Sequence, residues 1–270
     1  MRGFGAELIV HGHDFQAARE HASAIGAERG LETVPSYHRD LVLGVATYAR
    51  ELFRAAGELD AVYVPVGMGS GISAVIGVRD LLGLRTEVIG VVAENAPATA
   101  LSVAAGRVVA TDAADTFIDG VACRVPDEEA ISVIGAGAAR ILTIGEDEAA
   151  EAMRVLLTTT HNVAEPGGAL ALAGLLAERS GMSGKRVAVI QTGGNVDADL
   201  LLRVLELMAG RELDASAREH AREMAIKEDR VVVRLKPYAS FMTPPRHISS
   251  EADLDTLTHW TSSSLPWNPE

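Results

Sequence analysis

Cysteine is almost missing from this 270-residue chain. Cys123 is the single one, so no internal disulfide framework can form and a reducing compartment is expected. An excess of positive charge is also missing. The formal net charge is −13 and the pI about 5.1, which argues against a broad nucleic-acid or anionic-membrane surface but leaves room for a local anion pocket. No apolar run reaches the length that spans a bilayer, and the first residues lack the basic-then-apolar layout of a secretory signal. A cytoplasmic protein is the expectation. Lysine is scarce as well, occurring only at 185, 227 and 236. What is present is a hydrophobic content of 48%. That suffices for one large α/β domain, or one domain and part of another.

The stretch "VYVPVGMGSGISAV" (62–75) concentrates the chemistry. An apolar run is followed by glycines at 67, 69 and 71, then by a helical pattern. Such a turn can aim several backbone N–H groups at one point beside the positive end of a helix dipole, which outlines a phosphate site.

The surrounding pattern alternates. "AELIVHG" (6–12) reads as a strand, followed by a helix over roughly 15–30. "LVLGVATYARELF" (41–53) is helical, and "DAVYVPV" (60–66) has the valine-rich continuity of a strand buried on both faces. A helix over "GISAVIGVRDLL", a strand over 86–93, a helix near 97–105 and a helix over "DEEAISVIGAGAARI" follow. Then come a strand at 140–145, two helices joined at "HNVAEPGG", a strand at 186–192 ending in "GGNVD", and a helix over 198–208. This order predicts an α/β fold: an open, mostly parallel twisted sheet with helices on both faces. Ligands then sit beyond the carboxyl ends of the strands, where both glycine loops fall. After about residue 212 the chain turns polar and Ser/Thr/Pro-rich, with a polar helix, a strand over "RVVVRLKP" and a surface-hugging or loosely ordered tail expected.

Two phosphate readings compete for the loop. A dinucleotide fingerprint would want a third glycine at position 72, which is Ile, although Glu94 does end the next strand. A P-loop is excluded because no Gly-Lys-Ser/Thr follows. The second reading is a compact monophosphate cradle, with the dinucleotide reading of an oxidoreductase kept open behind it.

"VPVGMGSGIS", "DTFIDGVACRVP", "HNVAEPGGALALAG" and "VIQTGGNVD", in this order, resemble the serine/threonine dehydratase and serine racemase family. That family uses pyridoxal phosphate (PLP) on the tryptophan-synthase-β-like fold. The resemblance covers roughly residues 3–205. It implies that Gly67, Met68, Gly69, Ser70 and Gly71 hold the cofactor phosphate. It implies that the Thr192 hydroxyl meets the pyridine nitrogen, that Glu165 is a carboxylate near the ring, and that Gly193, Gly194 and Asn195 form the floor around it. A neutral hydroxyl partner gives a weaker electron sink than an aspartate, which suffices for β-hydroxyl elimination.

The chain also departs from the pattern. The family's Schiff-base lysine, in a Ser-Phe-Lys context, and its Ser-x-Gly-Asn-His carboxylate-binding turn have no counterpart here, so no catalytic residue is identified. The expectation is a chain lacking the family's first portion, as a fragment or a late start, and inactive on its own. The implied organisation is 1–35 as the end of a small domain, 36–211 as the large PLP-binding domain and 212–270 as an unmatched extension. Some relatives bind a divalent cation through a Glu, a carbonyl four residues on and an Asp six on. Glu94 and Ala98 fill the first two places, but position 100 is Ala, so no metal is expected and Glu94 stays a weak candidate. His11, His13 and His21 read as surface histidines, and Asp112, Asp115 and Asp119 as loop caps.

The reading is a PLP-dependent threonine/serine ammonia-lyase acting on a small-molecule amino acid. Alternatives are a racemase, a dehydratase of another hydroxy amino acid, or a non-catalytic phosphate-compound-binding remnant or subunit. Apolar faces left uncovered should favour self-association, and a homo-oligomer is expected. A side chain at Gly69 is expected to block the phosphate while leaving the fold largely intact.

Overall fold

In the computed structural model, residues 5–209 are described. Four parallel strands form one sheet in the order β3-β2-β1-β4, with β1 Ala61–Pro65, β2 Glu87–Ala93, β3 Arg140–Ile144 and β4 Val187–Val189. Eight α-helices accompany them: α1 Phe15–Arg29, α2 Arg39–Ala56, α3 Ser70–Leu81, α4 Ala98–Ala105, α5 Glu128–Gly137, α6 Glu146–Val155, α7 Pro166–Ala177 and α8 Ala198–Ala209.

The valine-rich reading of β1 is borne out, since all five of its residues are buried. Its alternate side chains serve two cores. Ala61 and Tyr63 join Ile89, Val91, Met153 and Leu170 on the face covered by α6 and α7. Val62 and Val64 join Val88, Val92, Ile72 and Ile134 on the face covered by α2, α3 and α5. A strand with period-two side chains and helices on both sides has no solvent face, hence the unbroken apolar run. Helix α7, "PGGALALAGLLA", is buried on nearly every side, so its sequence lacks a polar stripe.

The chain order places β1 inside the sheet, with β2 and β3 to one side and β4 to the other. The sheet therefore changes winding direction between β1 and β4. In open α/β sheets this is where the loops at the strand carboxyl ends splay to leave a crevice.

Three expectations need correction. Residues 6–12 are not a strand: the segment is exposed, Val10 being 83% exposed, and it exchanges no ladder bonds with the sheet. An apolar alternation becomes a strand only where a neighbour satisfies its backbone. The last strand is shorter than 186–192. The Ile190 N–H still reaches the Tyr63 carbonyl at 3.0 Å, but the chain then leaves the ladder. The helix over "EDEAAEAMRVLLTTT" ends in a π-helical turn at Leu156–Thr160. There the hydroxyls of Thr158, Thr159 and Thr160 donate back to the carbonyls of Arg154, Val155 and Leu156 at 2.6–2.9 Å, and Thr side chains that bond the preceding turn distort a helix. The polar helix and strand expected after residue 212 lie outside the described residues.

Helix α1 is capped by Asp14, whose carboxylate accepts the Ala17 N–H at 2.8 Å, and ends on Gly30 in the left-handed region. The helix buries only Gln16 and Gly26. The segment around it carries Leu8, Ile9, Val10, Phe15, Leu31 and Val34, six of the ten large exposed hydrophobics among the described residues. Its ties to the rest are polar: Asp14 pairs with Arg124, and Arg19 approaches the sulfur of Met68 at 3.8 Å.

The amino end of the sheet is locked by a second network. Arg140, opening β3, binds Glu178 through two hydrogen bonds of 2.8 Å and Glu87 through one of 3.0 Å. The Tyr63 hydroxyl donates to Glu178 at 2.7 Å. The Arg140 guanidinium holds the Glu178 carboxyl below the ordinary range. A carboxyl depressed in the folded state stabilises above its unfolded pKa, and that stability drains away as pH falls toward its folded value. Glu178→Gln is therefore expected to cost about 1–3 kcal/mol at pH 7. The gap to the parent should close as pH falls below about 4 in urea titrations. A gap that stays constant with pH would contradict this assignment.

Candidate functional site

The site is built on loops at the carboxyl end of the sheet. After β1 the Val66 N–H still bonds the Val91 carbonyl at 2.8 Å, and the chain then turns through 67–69 into α3. Gly69 is the N-cap, with φ of 99°, a conformation that side chains rarely adopt. The first bond of the helix runs from the Ser73 N–H to the Gly69 carbonyl at 3.0 Å. The amides of Ser70, Gly71 and Ile72 therefore have no acceptor inside the helix. No side chain caps them either. They and the positive end of α3 offer donors to an anion.

The glycines do not all serve this opening. A Cβ on Gly67 would stand 2.9 Å from the Gly120 carbonyl oxygen, so this glycine lets the loop lie against the 3₁₀ turn Asp119–Val121. A Cβ on Gly69 would stand 3.1 Å from both Ala130 Cβ and Ile134 Cδ1 of α5. A side chain there would enter the core at a strained φ. The expectation that Gly69 tolerates substitution with the fold intact is thus corrected. Gly71 is held by its carbonyl, which accepts the Tyr48 hydroxyl at 3.1 Å.

Four remote segments meet by backbone approach. Gly120 lies against Gly167, where a Cβ on the latter would be 3.4 Å from the Gly120 Cα. A Cβ on Gly168 would be 2.2 Å from the Gly193 carbonyl oxygen. Glu165 is the N-cap of α7, yet its side chain caps nothing in that helix. Its backbone N–H donates to the Gly193 carbonyl at 3.1 Å, and its carboxylate accepts the Asn195 N–H at 2.9 Å. A Cβ on Gly194 would be 2.5 Å from the Val163 carbonyl oxygen, so the 192–195 turn lies along the strand-like run into α7. Thr192 is exposed, and its hydroxyl makes no hydrogen bond among the described residues.

Glu165, Gly193, Gly194 and Asn195 are thus in direct contact with one another or with their flanking residues. The 67–71 loop joins them through Gly120, Gly167 and Gly168. Sequence reasoning did not single out these three linking glycines. Their signal was available in "DG" and "PGG", small residues where two backbones must close up. Arg19 was also missed, and no local pattern marks it. Met68 packs its sulfur 3.5 Å from Cys123 Sγ.

Glu94 is exposed at the end of β2, and among the described residues no three His, Cys, Asp or Glu side chains gather in a metal-binding group. The rings of exposed His11 and half-buried His21 stack with their centroids 3.6 Å apart. Asp119 is the first residue of its 3₁₀ turn rather than the cap, and its carboxylate accepts the Gly120 N–H at 2.8 Å.

Cys123 is buried, and burial pushes its thiol up to about 11. At pH 8 about one thiol in a thousand is then ionised, and only the thiolate attacks. Folded protein is expected to react with a disulfide reagent far more slowly than protein in 6 M guanidinium. Equal rates would show that the Met68 loop opens freely.

Comparison with known proteins identifies the family. The family described as pyridoxal-phosphate dependent enzyme matches residues 1–193. An L-threonine ammonia-lyase of Thermotoga maritima is 29% identical over 231 residues, which are 84% of this chain and 57% of that protein. A biosynthetic L-threonine dehydratase of Salmonella typhimurium is 34% identical over 203 residues, 73% of this chain and 39% of that protein. Among solved structures, the processed form of threonine deaminase isoform 2 from Solanum lycopersicum superposes with a TM-score of 0.72 at 28% identity, covering 78% of this chain and 62% of that one. This chain therefore spans about 40–60% of the length of these relatives. No helix among the described residues is long and apolar enough to cross a membrane. With residues 1–193 matched by the family's pattern and the strand order and glycine loops described above, the chain belongs to the pyridoxal-phosphate-dependent enzyme family.

Proposed function

We propose that this chain supplies the cofactor-cradling part of an ammonia-lyase that converts a β-hydroxy amino acid to a 2-oxo acid and ammonia. The carrying observation is the meeting of two things at the change of winding between β1 and β4. One is a set of amides without helix acceptors at 70–72. The other is a glycine turn presenting the exposed Thr192, whose hydroxyl has no hydrogen-bond partner among the described residues. This pair suits a ligand with a phosphate at one end and a ring nitrogen at the other. When bound, pyridoxal phosphate supplies an electron-withdrawing ring that stabilises charge at the substrate α-carbon. The amides of 67–72 would hold its phosphate. The Thr192 hydroxyl would donate to the ring nitrogen and leave that nitrogen uncharged. Gly193, Gly194 and Asn195 would floor the ring, with Glu165 bound to that turn.

In the same proposal residues 1–35 end a smaller unit, 36–211 form the cofactor unit, and 212–270 are an extension. The reaction needs an amine close to the cofactor. Lys185 sits just before β4, at the end of the sheet opposite the glycine loops, and Lys227 and Lys236 lie outside the described residues. Residues 5–209 thus hold the cofactor without placing a lysine beside it. Substrate class follows the threonine and serine lyases, and no observation favours a racemase.

The test is titration with pyridoxal phosphate, competition by inorganic phosphate, and assay of 2-oxo acid from L-threonine and L-serine. Reversible binding displaced by phosphate is expected, with Lys185 unmodified after borohydride treatment. A pyridoxyl group on Lys185 together with turnover would put the site at the other end of the sheet.

A further inference from the structure

We infer that Glu165 is a positioning residue: its carboxylate sets the 192–195 turn by hydrogen bonding rather than acting on the ring by charge. The inference rests on the site proposed above, but its geometry is independent of any ligand. Glu165 and the turn are joined twice. The Glu165 N–H donates to the Gly193 carbonyl at 3.1 Å, and the side chain accepts the Asn195 N–H at 2.9 Å. The two bonds bracket Gly193 and Gly194 and hold the turn from both ends. An N-cap side chain ordinarily serves the first amides of its own helix. Here the Glu165 side chain forgoes them and crosses to another loop.

The fit against Gly193 points the same way. A Cβ on Gly193 would stand 2.5 and 2.7 Å from the two Glu165 carboxylate oxygens and 2.6 Å from the carbon between them. The carboxylate lies flat against this glycine, in space that any side chain would take. Thr192 precedes Gly193, so the direction of its hydroxyl follows from how that turn is held. Loss of the carboxylate should free the turn, and with it the hydroxyl, while the 67–71 loop keeps its shape. Gly193 has no positive φ, and the nearest obstacle to alanine there is the Glu165 carboxylate. Gly193→Ala thus displaces the carboxylate without deleting it.

The experiment compares the parent with Glu165→Ala, Glu165→Gln and Gly193→Ala. It reads amide hydrogen exchange at Asn195 and the affinities for pyridoxal phosphate and inorganic phosphate. In Glu165→Ala and Gly193→Ala the Asn195 amide should exchange at least about tenfold faster, the loss of one hydrogen bond to a charged acceptor. Affinity for pyridoxal phosphate should fall about tenfold, and that for inorganic phosphate should stay within about twofold. Glu165→Gln keeps an acceptor oxygen, so its exchange and both affinities should stay within about threefold of the parent. Three results would overturn the inference: glutamine as damaging as alanine, unchanged Asn195 exchange in Glu165→Ala, or both affinities falling in step. If the parent itself does not bind pyridoxal phosphate, the proposed function fails, while Asn195 exchange still decides whether Glu165 holds the turn.

Discussion

Gly168→Ala is expected to be the most damaging glycine-to-alanine change among the described residues. Its Cβ would stand 2.2 Å from the Gly193 carbonyl oxygen, with the Gly193 N and C at 2.9 and 3.1 Å. The obstacle is backbone, so no rotamer change relieves it. Either α7 backs away from the turn or the turn leaves α7. Helix α7 is buried along most of its length, so retreat would loosen the core against β1 and β2. The cost should exceed about 3 kcal/mol, beyond the usual range for overpacking because nothing flexible yields. That lowers the melting temperature by roughly 6–12 °C in a domain of this size. Gly44→Ala is the control. Gly44 lies within α2, and a Cβ there would meet nothing within 4 Å, so the helix should gain up to about 1 kcal/mol. Equal melting temperatures for the two variants would dispose of the backbone contact.

Ser70→Asp should separate binding from stability with opposite signs. Ser70 opens α3, which has no acidic residue in its first turn. A carboxylate there complements the helix dipole and should raise stability by about 0.3–1 kcal/mol. The same charge faces the amides proposed to hold the phosphate. Two like charges about 4 Å apart repel by about 4 kcal/mol at an effective dielectric of 20. Even with half of that screened, affinity for pyridoxal phosphate and for inorganic phosphate should fall at least about thirtyfold. Ser70→Ala should leave binding near the parent. If Ser70→Asp binds either ligand as tightly as the parent does, the 67–72 amides do not form the cradle.

The elements that pack the core were readable from sequence because burial imposes its own period. β1 and β2 are buried on both faces and read as unbroken apolar runs, while α2 shows a helical stripe. The segment 6–12 has the same apolar look without a neighbour, and a pattern of side chains cannot reveal whether a backbone partner exists. The π-helical turn at Leu156–Thr160 depends on hydroxyls choosing carbonyls one turn back, which spacing alone does not announce. At the candidate site the motifs named residues that the fold brings together but not what each glycine does. Gly69 was read as facing the ligand, yet its missing side chain faces α5. Arg19 reaches Met68 from a helix far away in sequence, a contact that only the folded chain creates.

The seam of glycines from Gly67 through Gly120, Gly167 and Gly168 to Gly193 has a consequence in time. Each contact joins backbones that are remote along the chain, and loop closure must come before any of them is made. None brings a large apolar side chain that could hold an early, loose encounter together. The two halves of the core, by contrast, are joined by large buried apolar side chains that hold early contacts together. The sheet and its covering helices should therefore condense first and the seam close last, after the folding barrier has been crossed. Substitutions along it would then speed unfolding far more than they slow folding. Competence to bind would be the final property the chain acquires as it folds and the first it gives up.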